Sequence, residues 1–141
     1  MALYDSQTHS KSTRNSRRFR DIDLDFGRNT TTNDVNIVED VIAIKRAVKN
    51  LVQTNFYERP FHPEIGCGVR GLLFENFTPL TAVFMRKKIE EVLNNFEPRI
   101  SLTGVNVDDD QDRNRLVVDI HFRIIGVDGP QVVSTFLQRI R

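Results

Sequence analysis

The stretch NNFEPRI, residues 94–100, decides how this chain is read. Upstream of it apolar residues recur every three or four positions, and downstream they alternate, so a helix gives way to strands here. Pro98 forbids continuation of the helix and fixes φ at the joint. Glu97 falls at the helix C-terminus, whose partial negative charge disfavours a carboxylate by ~0.3–1 kcal/mol. A cation has to meet it. Arg99 and Arg59 are the candidates, because a guanidinium fork grips a carboxylate with two parallel bonds. Two uses of the joint are open: an internal clamp holding loop 55–80 against the helix end, or a pairing of Glu97 or Arg99 with a neighbouring chain.

The helix before the joint opens at Thr78, a capping residue, followed by Pro79 in the first turn. Met85, Ile89, Val92 and Phe96 form its dry stripe, and Arg86–Glu90 and Lys87–Glu91 are i,i+4 pairs on the wet side. After the joint, residues 100–107 and 115–125 read as strands around a polar loop at 108–112. Leu116, Val118, Ile120, Phe122 and Ile124 share one face of the second strand. GVDGP (126–130) is a turn, and β-branched content makes 131–140 a strand, with helix as the rival.

Towards the N-terminus, DIDLDF (21–26) alternates strictly, which predicts a strand with a dry face of Ile22, Leu24 and Phe26 and an acidic wet face. Residues 27–34 are turn chemistry, 35–37 a short returning strand, and 39–54 a helix striped by Val41, Ile44, Val48 and Leu51. Residues 55–80 make a long Pro- and Gly-rich loop with one short helix near 69–75. Loops of this length in compact domains often carry function. The expected fold is α+β: a small, mostly antiparallel sheet with two main helices on one face.

With 141 residues, 28% charged and 39% hydrophobic, the composition is that of one globular domain. Residues 1–20 carry Lys11, Arg14, Arg17, Arg18 and Arg20 against one acid, Asp5, and few aliphatics. They are expected to be a basic arm ahead of a domain at 21–141. The N-terminal segment has no apolar core, so no secretory signal is expected, and no apolar run nears the ~20 residues that span a bilayer. The net charge of +1 gives no argument for nucleic acid.

Enzyme readings find little footing. His9, His62 and His121 lack zinc spacing, and a Cys67–His62 dyad has only a shared loop in its favour. The aspartates at 108–112 lack the glycine and glutamate of a calcium loop. Glu64, Glu75 and Glu97 could supply a glycosidase pair only if two of them met across a cleft. No cofactor or metal is expected.

Five ordered motifs carry a resemblance: Arg59-Pro60-Phe61, Pro63-Glu64-Ile65-Gly66, Leu73-Phe74-Glu75, Thr78-Pro79-Leu80 and Glu97-Pro98-Arg99. In this order they resemble the baseplate wedge, or sheath-initiator, proteins of contractile-tailed bacteriophages, a family with a relative in type VI secretion baseplates. The resemblance spans roughly residues 20–140. It implies a structural role and a domain like the conserved part of the tail sheath protein. Six copies would surround the tube in a virion baseplate assembled in the host cytoplasm, holding the wedge core and templating the first sheath ring by strand exchange. Implied partners are other wedge proteins, the sheath, and tube or hub proteins, with no nucleic acid or membrane. Arg59, Pro60, Phe61, Glu64, Gly66, Phe74, Glu75, Glu97, Pro98 and Arg99 become the candidate partner-binding or structural residues. The sheath's arm is expected at an edge near residues 131–141, or alternatively at 21–26. A lysozyme label attached to some members places no carboxylate pair on this chain. A soluble regulatory binding module and a peptidoglycan hydrolase are the other classes considered.

Overall fold

The computed structural model describes residues 19–138. The elements run β1 (Arg20–Ile22), β2 (Ile37–Glu39), α1 (Asp40–Gln53), α2 (Val69–Leu72), α3 (Pro79–Phe96), β3 (Ile100–Asp110), β4 (Arg115–Ile124) and β5 (Pro130–Gln138). The fold is α+β with antiparallel strands throughout the described residues, but its strands form two sheets. β1 and β2 make a two-stranded ribbon, and β3-β4-β5 make the main sheet. Residues 1–18 of the expected arm, with His9, lie outside the described residues, as do residues 139–141 of the expected C-terminal segment. Arg20 belongs to β1 and pairs in register with Glu39.

The main sheet follows its alternation. Leu116, Val118, Ile120, Phe122 and Ile124 of β4 are buried, facing the same side as Val105 and Val107 of β3 and Val133 and Leu137 of β5. Both long helices pack on that side: α3 against β3, α1 against β5, and each against the other. Ile44, Val48 and Leu51 of α1 and Met85, Ile89, Val92 and Leu93 of α3 close the core. Phe122, fully buried at the centre, would cost about 3–5 kcal/mol if truncated to alanine. The last segment is a strand, as its β-branched residues favour.

Three expectations change. β3 extends through Asp110, so the aspartates at 108–110 belong to a strand, with Asp110 held by Arg115 Nε at 2.8 Å. α2 has one turn, ending before the predicted Glu75. The third change concerns the N-terminal hairpin. Of the 21–26 segment only Asp21 and Ile22 are strand, and its faces are inverted. Ile22, Leu24 and Phe26 are 62%, 55% and 69% exposed, while Asp21 and Asp23 turn inward. The surface they meet carries Arg99 and Arg46, so ion pairing decides the orientation. Alternation defines two faces without saying which one goes in.

Candidate functional site

Thr78 caps α3 as expected, its Oγ1 accepting the Thr81 N–H at 3.2 Å. The helix ends at Glu97, whose N–H still bonds the Leu93 carbonyl, and Pro98 turns the chain into β3. The Glu97 side chain folds back and is buried, with 3% of the residue exposed. Arg99 meets it with both arms of its fork, Nε to Oε1 at 2.6 Å and Nη2 to Oε2 at 2.8 Å. The clamp is therefore internal, and Arg99 rather than Arg59 supplies it. These bonds raise the Arg99 pKa above its ordinary value, Glu97 being the largest cause and Asp21 a smaller one.

Arg99 also reaches Asp21 at 3.3 Å and lies over the Phe19 ring at 5.7 Å. What the joint fastens is thus the N-terminal ribbon, not loop 55–80. Further along the same face Arg46 of α1 binds Asp23 and, at 3.3 Å, Asp25. The hydrogen bond from Arg46, followed by one from the Asp25 N–H, holds the Asp23 carboxyl below the ordinary aspartate range. Phe19 and Asp40 complete the attachment, the Phe19 N–H donating to Asp40 Oδ1 at 3.1 Å and the Asp40 N–H to the Phe19 carbonyl at 2.7 Å. Asp21, Asp23 and Arg46 were not among the residues singled out from sequence. The available signal was three aspartates at a spacing of two, a face able to meet arginines.

Between ribbon and domain lies a groove of about 530 Å³. Ala43, Ala47, Leu51 and Phe96 line it along with Arg20, Arg46, Arg59, Glu97 and Arg99. It brings Arg59 to the same groove as Glu97 and Arg99. Arg59 is exposed and makes no ion pair or hydrogen bond among the described residues.

Loop 55–80 has its own fastenings. Asn55 donates from its N–H and Nδ2 to Glu58 at 2.9 and 2.8 Å, the Tyr57 N–H bonds the Pro63 carbonyl at 2.9 Å, and the Cys67 N–H bonds Thr54 at 2.8 Å. Gly66 is buried because the Asn55–Phe56 backbone crosses it. A Cβ there would stand 2.5–2.6 Å from that backbone. Its role is close approach. Tyr57 and Phe61 take positive φ, +67° and +70°, a conformation costing an L-residue about 1 kcal/mol. They are also 85% and 97% exposed.

The other candidates are dispersed. Pro60 and Pro98 are exposed, and so is Glu75. Glu64 bonds His62 at 3.1 Å, and its own backbone N–H first, then His62, keep its carboxyl below the usual range. Phe74 lines a separate groove of about 340 Å³ beside Phe136 and Leu137 of β5. Cys67 is buried, and desolvation pushes its thiol up to about 12. Glu97 is committed to Arg99, while Glu64 and Glu75 are exposed on the loop.

A family model described as baseplate wedge protein gp25 matches residues 38–128. The baseplate wedge protein gp25 of Enterobacteria phage T4 is 40% identical over 92 residues, 65% of this chain and 68% of that protein. A putative tail lysozyme from Geobacter sulfurreducens superimposes with a TM-score of 0.58 at 26% identity, over 67% of this chain and 88% of its own. A chain of the anti-feeding prophage baseplate, a six-fold symmetrised structure, shares the fold with a TM-score of 0.69 at 24% identity, over 78% and 88% of the two chains. The ribbon up to Ile37 precedes the matched region, whereas the Glu97–Arg99 clamp lies inside it. The chain belongs to the baseplate wedge protein gp25 family: it is a structural component of a contractile-tail baseplate, placed among other baseplate proteins.

Proposed function

We propose that this subunit starts the tail sheath by accepting an extended arm of the sheath protein along the open edge of β5. The observation that carries this is the strand order. β5 ends the main sheet, and among the described residues its side away from β4 has no strand partner. Its nine residues offer a ladder long enough for an added strand, with backbone bonds for affinity and alternating side chains for register. The groove holding Phe74, Phe136 and Leu137 lies beside that edge and would receive an apolar side chain of the arm. The three-residue β1 is a poorer template. Six such subunits around the tube would present six edges to the first ring. The groove at Glu97 and Arg99 faces the wedge and tube or hub proteins, with the clamp setting its shape.

Deleting residues 131–141 removes Val133 and Leu137 from the core and would unfold the chain, so the edge has to be tested with the fold intact. A cysteine at exposed Ser134, combined with single cysteines along the sheath arm, should give a disulfide at one register in assembled tails. Cys67, buried, stays silent. Sheath that initiates normally while no arm position crosslinks to Ser134→Cys excludes this edge.

A further inference from the structure

We propose that two free copies of this chain pair antiparallel through their β5 edges, closing the sheath-accepting site until the subunit enters a baseplate. The closure rests on the reading of that edge given above; the pairing itself needs only the open strand. Among the described residues β5 has no strand partner on its side away from β4, and its register to β4 runs from Pro130 to Gln138 without a bulge. Exposed edges are normally guarded by charged side chains, bulges or a proline, which keep other strands off. In β5, PQVVSTFLQ, the only such guard is Pro130 at the first position. A row of backbone N–H and C=O groups is left ready for a partner.

The strand fits a second copy of itself. Paired about Ser134, all nine residues have an opposite partner. Ser134 meets Ser134, Val132 meets Phe136 on either side of it, Val133 meets Thr135, and Gln131 meets Leu137. Opposite residues of an antiparallel pair share a face of the sheet, so this register sets outward residues against outward and inward against inward. Val132 and Phe136, 45% and 51% exposed, each gain an apolar neighbour across the join. No like charges oppose one another, because the strand carries none, and a net charge of +1 leaves little repulsion between copies. The two three-stranded sheets then run on as one, with the helices of both copies on the same side. A two-fold contact of this kind, the same patch on both partners, is the commonest in protein oligomers.

Sedimentation equilibrium of the purified full chain between about 1 µM and 1 mM should show its mass doubling. Ser134→Cys should form a disulfide between copies on mild oxidation, with Cys67 silent in the core. Val132→Cys alone should not, because its counterpart stands four residues along the ladder, about 14 Å away; mixed with Phe136→Cys it should. Ser134→Lys sets two ammonium groups opposite each other and should stay monomeric at every concentration while keeping the parent's circular dichroism. The oxidised Ser134→Cys dimer should fail to start sheath until it is reduced. A parent chain that is monomeric at the top of the range, a Ser134→Lys chain that still doubles in mass, or oxidised dimers that start sheath as well as reduced chains would each overturn the proposal. The sheath-arm reading fails separately, through tails in which no arm position crosslinks to residue 134, whatever the free chain does.

Discussion

Removing Glu97 tests the central physical claim, that an ion pair at a helix end holds the N-terminal ribbon to the domain. The pair has two short charge-assisted bonds, each worth ~1.5–3 kcal/mol when formed in a protein. Arg99 keeps 24% of its side chain exposed, so solvent screens part of this. Glu97→Ala frees Arg99 to keep Asp21 and hydrate. We expect a loss of about 2–3 kcal/mol, which for a domain of this size lowers Tm by roughly 6–10 °C. Arg99→Ala should cost more, about 3–4 kcal/mol, because it strands a buried carboxylate and also releases Asp21 and Phe19. The double variant should then lose less than the sum, with a coupling near 2 kcal/mol. Arg99→Lys should fall between, since an ammonium cannot make both parallel bonds. Denaturant unfolding of the four chains measures the cycle. If the two alanine variants add within about 0.5 kcal/mol, or Glu97→Ala melts within a degree of the parent, the clamp does not support the fold.

Three further outcomes follow from other contacts. Gly66→Ala drives a methyl into the Asn55–Phe56 backbone and should cost about 2–3 kcal/mol in urea unfolding; an unchanged midpoint would show that the loop gives way without strain. The Asp23 carboxyl, lowered in the folded chain by Arg46, contributes stability that is present above the ordinary value of 3.8 and is lost as pH falls through the lower folded value. Hydrogen exchange in the ribbon should therefore quicken below about pH 4, and Asp23→Asn should remove that dependence; identical acid profiles would refute it. Cys67, buried with its thiol raised to about 12, should react with a disulfide reagent only at the rate of unfolding; rapid labelling of the native chain would contradict its burial.

The period of the apolar residues determined α1, α3 and the three long strands, because burial against one common core imposes 3.6 and 2.0 on the chain directly. Thr78 and Pro79 determined where α3 starts, and Pro98 where it stops, through local backbone chemistry alone. The motifs quoted from residues 59–99 were sufficient to indicate the family. Tertiary structure alone decided which face of DIDLDF turned inward. The deciding groups, Arg46 and Arg99, lie 21–23 and 78 positions away from the aspartates they pair with, and alternation has no memory of distant charge. It alone decided that Glu97 takes Arg99 and leaves Arg59 free, since both arginines were chemically equal candidates and only chain path separates them. It decided, finally, that Tyr57 and Phe61 stand in solvent on a left-handed backbone: composition records an aromatic residue, but not the direction in which the loop presents it.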